Sequence, residues 1–427
     1  MSKSNSSKKE KPEGVKKISG GVCAPTGFLA SAVSAGIKNP EDPRLDLALI
    51  YSKFPCTAAG TFTTNKVKAA PVKVSQAYMK ADAVQAIVSN SGNANACTGV
   101  QGISDARTTA KIVSKHLGIR QRQVAICSTG VIGIPLPMTR ISPKLEGLVD
   151  NLQPNSGEDV ARAIMTSDTQ KKEIAVSVKI GDHTVKIGAC AKGAGMICPS
   201  MATMLCFITT DANISAANLQ KSILESVDES FNRITIDGDM STNDTVIALA
   251  NAQSGMPLIK RNTPECKKFK AALKYVMLKM AKALVKDGER VTKFVTVEVK
   301  GARTYLDARK VAEAVANSAL VKCSWNGNDP NWGRIIHAVG YSRAMIREEL
   351  VDIHLNNKAA CLGGLQAKTS MNTLLNIVSK NSFKITINLN LGKADYELYS
   401  SDLSPEYIDF NRSEYAYWKQ ARKDGLV

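Results

Sequence analysis

The stretch Lys192-Gly-Ala-Gly-Met-Ile-Cys-Pro-Ser-Met-Ala-Thr203-Met-Leu-Cys-Phe-Ile-Thr-Thr-Asp211 decides how the rest of the chain reads. A glycine-rich loop leads into small and hydroxyl residues, and residues 204–208 then form an apolar run of strand length. Neither GxxxxGK[ST] nor GxGxxG occurs in it, so a nucleotide-phosphate loop gains little support. On residue types alone it is either a loop feeding a buried strand or an active site, and both readings stay open.

Working outward, residues 174–180 and 184–190 alternate around Gly181-Asp182, which is a hairpin signal. Further strands are expected at residues 46–50, 84–88, 124–127, 295–299 and 384–391. A helix is expected to start at Ser104 or Asp105 as N-cap and to run towards Leu117. Others are expected over 215–231, over 264–285 with Pro264 in the first turn, and over 308–320. Helices and strands are interspersed, yet several strands pair as hairpins. That pattern implies an α/β (α+β) sandwich with mixed sheets, not a purely parallel doubly wound sheet. The ordered chain is expected to begin near Ile18, with residues 1–17 a disordered basic tail.

Composition narrows the function. The chain has 427 residues, 44% of them hydrophobic, so a substantial core is available. The net charge of +18 raises nucleic acid, acidic membranes and anionic small molecules as partners. The basic residues are spread along the chain, with no zinc-finger spacing, aromatic RNA-binding signature or helix-turn-helix pattern, so neither nucleic acid nor membrane is expected as a partner. No apolar stretch reaches the ~18 residues of a membrane span. The polar, lysine-rich start has no apolar core, so it does not read as a secretory signal. The ten cysteines are scattered without a CxxC pair, which fits a reducing, cytoplasmic compartment (mitochondrial matrix or plastid in a eukaryote).

Familiar catalytic signatures are missing. His116, His183, His337 and His354 lie far apart, with no HExxH and no GxSxG elbow, so no metal is expected. An enzyme built this way needs another base. One known solution is a chain-terminal threonine, whose own α-amino group, with a pKa of about 7.7–8.0, can take the hydroxyl proton.

Seven further blocks carry a resemblance. They are GGVCAPTGFLASAVSAGIK (20–38), DLALIYSKFPCTAAGTFTTNKVKAAPV (46–72), NSGNANACTG (90–99), STGVIG (128–133), MTSDT (165–169), RITIDGDMSTNDT (233–245) and DPNWGRI (329–335). With the segment around Thr203, they resemble in order the ornithine acetyltransferase family, also called glutamate N-acetyltransferase or ArgJ. The resemblance spans about residues 18–415. It implies an N-terminal-nucleophile-like sandwich and a precursor cut between Ala202 and Thr203 into an α chain (18–202 after the tail) and a β chain (203–427). Thr203 would accept the acetyl group of N2-acetylornithine, release ornithine and pass the acetyl to glutamate. No cofactor is implied, although some members use acetyl-CoA as a substrate. The two chains would assemble as an (αβ)2 heterotetramer.

By the same resemblance Thr129 and Gly130 form an oxyanion hole, and Thr166, Lys192, Thr203, Glu289 and Asn411 contact substrate. Two departures stand out. Arg290 and Val291 replace a small pair after Glu289, where a bulky cation would pair with Glu289 or narrow the pocket. Near the C-terminus, Tyr417 stands at about the position of a family Thr, and ten residues follow it. An amide-hydrolysing relative with the same self-cleavage and a non-catalytic homologue are the competing readings.

Overall fold

Strand Leu205–Thr210 has no exposed side chain: Leu205 and Phe207 enter one core, Cys206 and Ile208 another. A strand covered on both faces needs no polar alternation, which is why its sequence reads as one apolar run. The computed structural model describes residues 11–81, 84–198, 204–412 and 415–426.

Around this strand lies a six-stranded mixed sheet, in the order Val15–Ile18, Lys172–Ile180, His183–Lys192, Leu205–Thr210, Thr245–Ala250, Thr57–Phe62. Its neighbours are antiparallel except Leu205–Thr210 and Thr245–Ala250, which run parallel. A four-stranded sheet (Phe28–Val33, Leu47–Ser52, Ala86–Asn90, Val124–Ser128) packs on one face, with Ile50 and Ile87 meeting Phe207 and Leu249. Helices Ala216–Asp228 and Pro264–Lys286 cover the opposite face of the larger sheet. Helices Ala70–Ala81, Gly99–Leu117 and Leu145–Asp150 cover the outer face of the smaller one. The result is four layers: helix, sheet, sheet, helix.

The C-terminal half adds a second mixed six-stranded sheet, ordered Leu365–Gln366, Lys358–Leu362, Asp352–Leu355, Ser382–Asn388, Phe294–Ala302, Ala394–Ser401. It has its own core with helices Tyr305–Ala316, Ala319–Asn326, Trp332–Gly340 and Met371–Val378. The mixed α/β architecture expected from the sequence is what forms. Among the described residues, no helix is long and apolar enough to cross a membrane. All ten cysteines are free.

Most elements fall where expected. The hairpin closes with Ile180 opposite His183, and Gly181 takes the positive φ that its turn requires. Three local expectations need correction. Order begins before Ile18, because Val15–Ile18 pairs along Lys172–Ile180 with Val15 buried. The helix assigned to a Ser104 or Asp105 cap is Gly99–Leu117, with Thr98 before it. Gly99 and Gly102 hide the start from propensity, yet Gly102 is needed, since a Cβ there would lie 1.9 Å from Thr98 Oγ1. The helix expected over 308–320 is two helices. Tyr305–Ala316 starts one turn early under Thr304, and Ser318 caps Ala319–Asn326 by accepting from the Val321 N–H.

Candidate active site

Strand Val124–Ser128 ends at a turn that only glycine can make. Gly130 has φ +137, and a Cβ there would fall 2.2 Å from the Gly92 carbonyl carbon. The Thr129 N–H donates to the Asn90 carbonyl at 3.0 Å. Side chains of two neighbouring loops do the work that a strand partner would do elsewhere. Asn243 Nδ2 donates to the Ala94 and Ser128 carbonyls at 2.7 and 2.8 Å, and Asn93 Nδ2 donates to the Ile134 and Pro135 carbonyls. Asparagines can therefore be buried here, because each satisfies carbonyls that would otherwise have no donor.

Lys192 is the last residue of its strand and is 3% exposed. Its Nζ donates to Thr166 Oγ1 at 2.6 Å and to Thr129 Oγ1 at 3.2 Å, and lies 3.9 Å from Asp168 Oδ2. Because the Thr129 oxygen accepts from an ammonium, its own proton is left to donate into the cleft. Asp168 anchors the arrangement. Its Oδ1 accepts from Lys172 Nζ at 2.6 Å and the Gly193 N–H at 2.8 Å, and Lys172 continues to Asp287 at 2.5 Å. Burial works against ionising Asp168, but the ammonium groups of Lys192 and Lys172 outweigh it and hold its pKa below the ordinary value. Burial pulls the Lys192 pKa below the usual lysine value, with Asp168 opposing.

On the facing wall, the Glu289 N–H donates to the Ala194 carbonyl at 2.8 Å. Its carboxylate lies so close over Gly195 that a Cβ there would be 2.5 Å from Glu289 Cδ. Asn411, at the end of helix Pro405–Asn411, donates to Glu289 Oε2 at 3.1 Å. Arg290 neither joins Glu289 nor lines the cleft; its guanidinium sits over the Phe410 ring at 5.0 Å, and Val291 packs against the core. Asp237 accepts from the Met196 and Ile197 N–H groups at 2.6 and 2.7 Å and from the Tyr407 hydroxyl at 3.2 Å.

Thr129, Gly130, Thr166, Lys192, Glu289 and Asn411 all line one cleft of about 370 Å³. Ala202 and Thr203 lie outside the described residues. The next residue, Met204, is fixed: its N–H donates to Asp244 Oδ1 at 2.9 Å, and its carbonyl accepts from the Thr245 N–H at 3.0 Å. The C-terminal helix Tyr415–Lys423 buries Ala421 against Val131 and Ile134, next to the Thr129–Gly130 turn, and Arg140 reaches Asp424 at 3.4 Å. Sequence reasoning gave no role to Asp168, Asp237, Asn243 or Asp244. Their only signal was membership of the blocks MTSDT and RITIDGDMSTNDT, polar runs without periodicity. Among the described residues, no group of three or more His, Cys, Asp or Glu side chains is arranged to hold a metal ion.

The ArgJ family model matches residues 29–416. The arginine biosynthesis bifunctional protein ArgJ of Symbiobacterium thermophilum is 44% identical over 93% of this chain and 98% of its own length. The glutamate N-acetyltransferase of Methanocaldococcus jannaschii is 43% identical over 92% of this chain and 98% of its own. A solved structure, ornithine acetyltransferase complexed with ornithine from Mycobacterium tuberculosis, is 38% identical, with 44% of this chain and 98% of that one covered at a TM-score of 0.39.

Proposed function

This chain belongs to the ArgJ family, and on that premise we propose that it moves the acetyl group of N2-acetylornithine to glutamate through an acetyl-Thr203 ester, in arginine biosynthesis. The observation that carries the reading is the convergence in one cleft of Thr129, Gly130, Thr166, Lys192, Glu289 and Asn411, drawn from across the chain. Lys192, in that cleft, pairs with Leu205, the first residue of the strand that begins two residues after Thr203.

Maturation comes first. Thr203 Oγ attacks the Ala202 carbonyl carbon, the Ala202–Thr203 amide becomes an ester, and water hydrolyses it. The products are an Ala202 carboxylate and a free Thr203 amine. In transfer, that amine takes the Oγ proton as Oγ attacks the acetyl carbonyl carbon. The Thr129 hydroxyl and Gly130 N–H stabilise the developing oxyanion, a contribution of roughly 2.7–4 kcal/mol per donor in other acyl-transfer enzymes. Collapse expels the α-nitrogen of ornithine, which leaves with the proton. The glutamate amine then attacks the ester and restores the Thr203 hydroxyl.

Lys192 supports this chemistry by holding the Thr129 oxygen as an acceptor, while Glu289 and Asn411 offer a carboxylate and an amide to an amino-acid ammonium. Acetyl-CoA is a second acetyl donor in this proposal. The matured α and β chains pair as (αβ)2, in a reducing compartment such as the cytoplasm.

The test is Thr203→Ala. One hydroxyl performs both acyl shifts, so the variant should remain a single chain and should not turn over acetylornithine with glutamate. An uncut Thr203→Ala chain with wild-type transfer would overturn the mechanism.

A further inference from the structure

Two exposed cations on the rim of the cleft, Lys38 and Arg44, have no task in the reaction just described. Both sit on the loop joining strands Phe28–Val33 and Leu47–Ser52, and that loop is held in place from below. The buried Asp46 side chain accepts from the Ala35 N–H at 2.7 Å and the Ile37 N–H at 2.6 Å, which draws the two ends of the loop together. The Ser91 N–H donates to the Asp46 carbonyl at 2.9 Å, so the loop is tied to the segment against which the Thr129–Gly130 turn packs. Lys38 lies on that segment: a Cβ on Gly92 would be 3.0 Å from Lys38 Cβ. Arg44 reaches the Thr166 carbonyl at 3.4 Å, and its ion pair with Asp42 is loose, at 3.8 Å with the arginine side chain 39% exposed.

Acetylornithine and glutamate would bring the same α-nitrogen to the point of acetyl transfer, each with a carboxylate on the adjoining carbon. Their side chains end oppositely, in an ammonium and a carboxylate. The carboxyl groups of Asp237, Asp239 and Glu289 line the cleft, so an ammonium is well provided for. The same groups repel a second carboxylate. Lys192 does not offset them, because its Nζ is already held by Thr166, Thr129 and Asp168. A rigid, buried cation would have the reverse fault and reject ornithine. An exposed arginine on a long side chain avoids both faults. Solvent screens it while an ammonium is bound, and its planar fork can turn onto a carboxylate with two parallel hydrogen bonds. We propose that Arg44, supported by the charge of Lys38 on the same loop, is the specificity-determining residue for the acetyl acceptor and pairs with the side-chain carboxylate of glutamate. The inference rests on the transfer reading above.

The test is Arg44→Gln, assayed with glutamate and with glutamine as acceptors at saturating acetylornithine. The two acceptors differ in the side-chain carboxylate, and the ratio of their kcat/KM values does not depend on how much enzyme is folded or cut. Wild type should prefer glutamate, and Arg44→Gln should lower that preference roughly tenfold or more, through KM for glutamate. KM for acetylornithine should not rise. A merely structural role would weaken both acceptors equally, and an unchanged ratio overturns the inference alone. So does a wild type that uses the two acceptors equally well. A wild-type enzyme that transfers no acetyl group to glutamate overturns the parent reading as well. If Arg44→Gln is inactive, Arg44→Met decides by the same ratio: a lowered preference supports the proposal, and loss of all transfer in both variants assigns Arg44 to structure and overturns it.

Discussion

Replacing Lys192 by methionine removes one ammonium and leaves the local volume nearly unchanged. Two hydrogen bonds are lost, to Thr166 Oγ1 at 2.6 Å and Thr129 Oγ1 at 3.2 Å. Only the second bears on Thr129, the oxyanion donor proposed above. A hydrogen bond to a charged group contributes about 1.5–3 kcal/mol, which corresponds to a roughly 10- to 150-fold loss of kcat/KM. Stability should change less, because Asp168 keeps Lys172 and the Gly193 N–H, and a buried ammonium that costs desolvation is removed. Cleavage should be largely preserved, which intact mass establishes before any kinetics. The assay is ornithine release from acetylornithine at saturating glutamate, with kcat and KM resolved separately. A cleaved Lys192→Met enzyme within about twofold of wild-type kcat/KM would refute the idea that Lys192 orients the Thr129 hydroxyl.

Asp168 has a depressed pKa, so the unfolded chain binds its proton more tightly and the residue contributes stability above the ordinary carboxylate pKa of about 3.9. That contribution should fade as pH falls through the lower folded value. Urea midpoints of wild type and Asp168→Asn should therefore differ most near pH 7 and converge towards pH 3; a constant gap would contradict the assignment. At the C-terminus, Ala421→Asn inserts an unpartnered amide into the apolar contact with Val131 and Ile134, at a cost of about 1–3 kcal/mol. Since Val131 and Ile132 line the cleft, KM for acetylornithine should rise as the melting temperature falls, and a lower melting temperature with unchanged KM would show that the C-terminal helix is uncoupled from the site.

What the sequence disclosed and what it hid divide along physical lines. Strand Leu205–Thr210 and the hairpin at Gly181 were legible because burial and turn chemistry leave local patterns. Helix Gly99–Leu117 was misread at its start because its glycines serve a close contact with Thr98, which propensity does not encode. The break at Asn317-Ser318 was present as a capping serine but was obscured by apolar residues on either side. In the site, the resemblance named Thr129, Gly130, Thr166, Lys192, Glu289 and Asn411, which line one cleft. It left unmarked those acting behind them: Asp168 behind Lys192, Asn243 behind Thr129, Asp244 at the peptide after Thr203. Such residues work through partners distant in sequence, so only the fold reveals them. Arg290 is not among the residues lining the cleft; its guanidinium lies over the ring of Phe410, which is.

The central claim is tested most directly by acid-quenching the wild-type protein with acetylornithine in the absence of glutamate and measuring intact and peptide masses. The account predicts fragments ending at Ala202 and beginning at Thr203, with one acetyl group on the peptide headed by Thr203. An uncut chain that releases ornithine, or an acetyl group on any other residue, would contradict it.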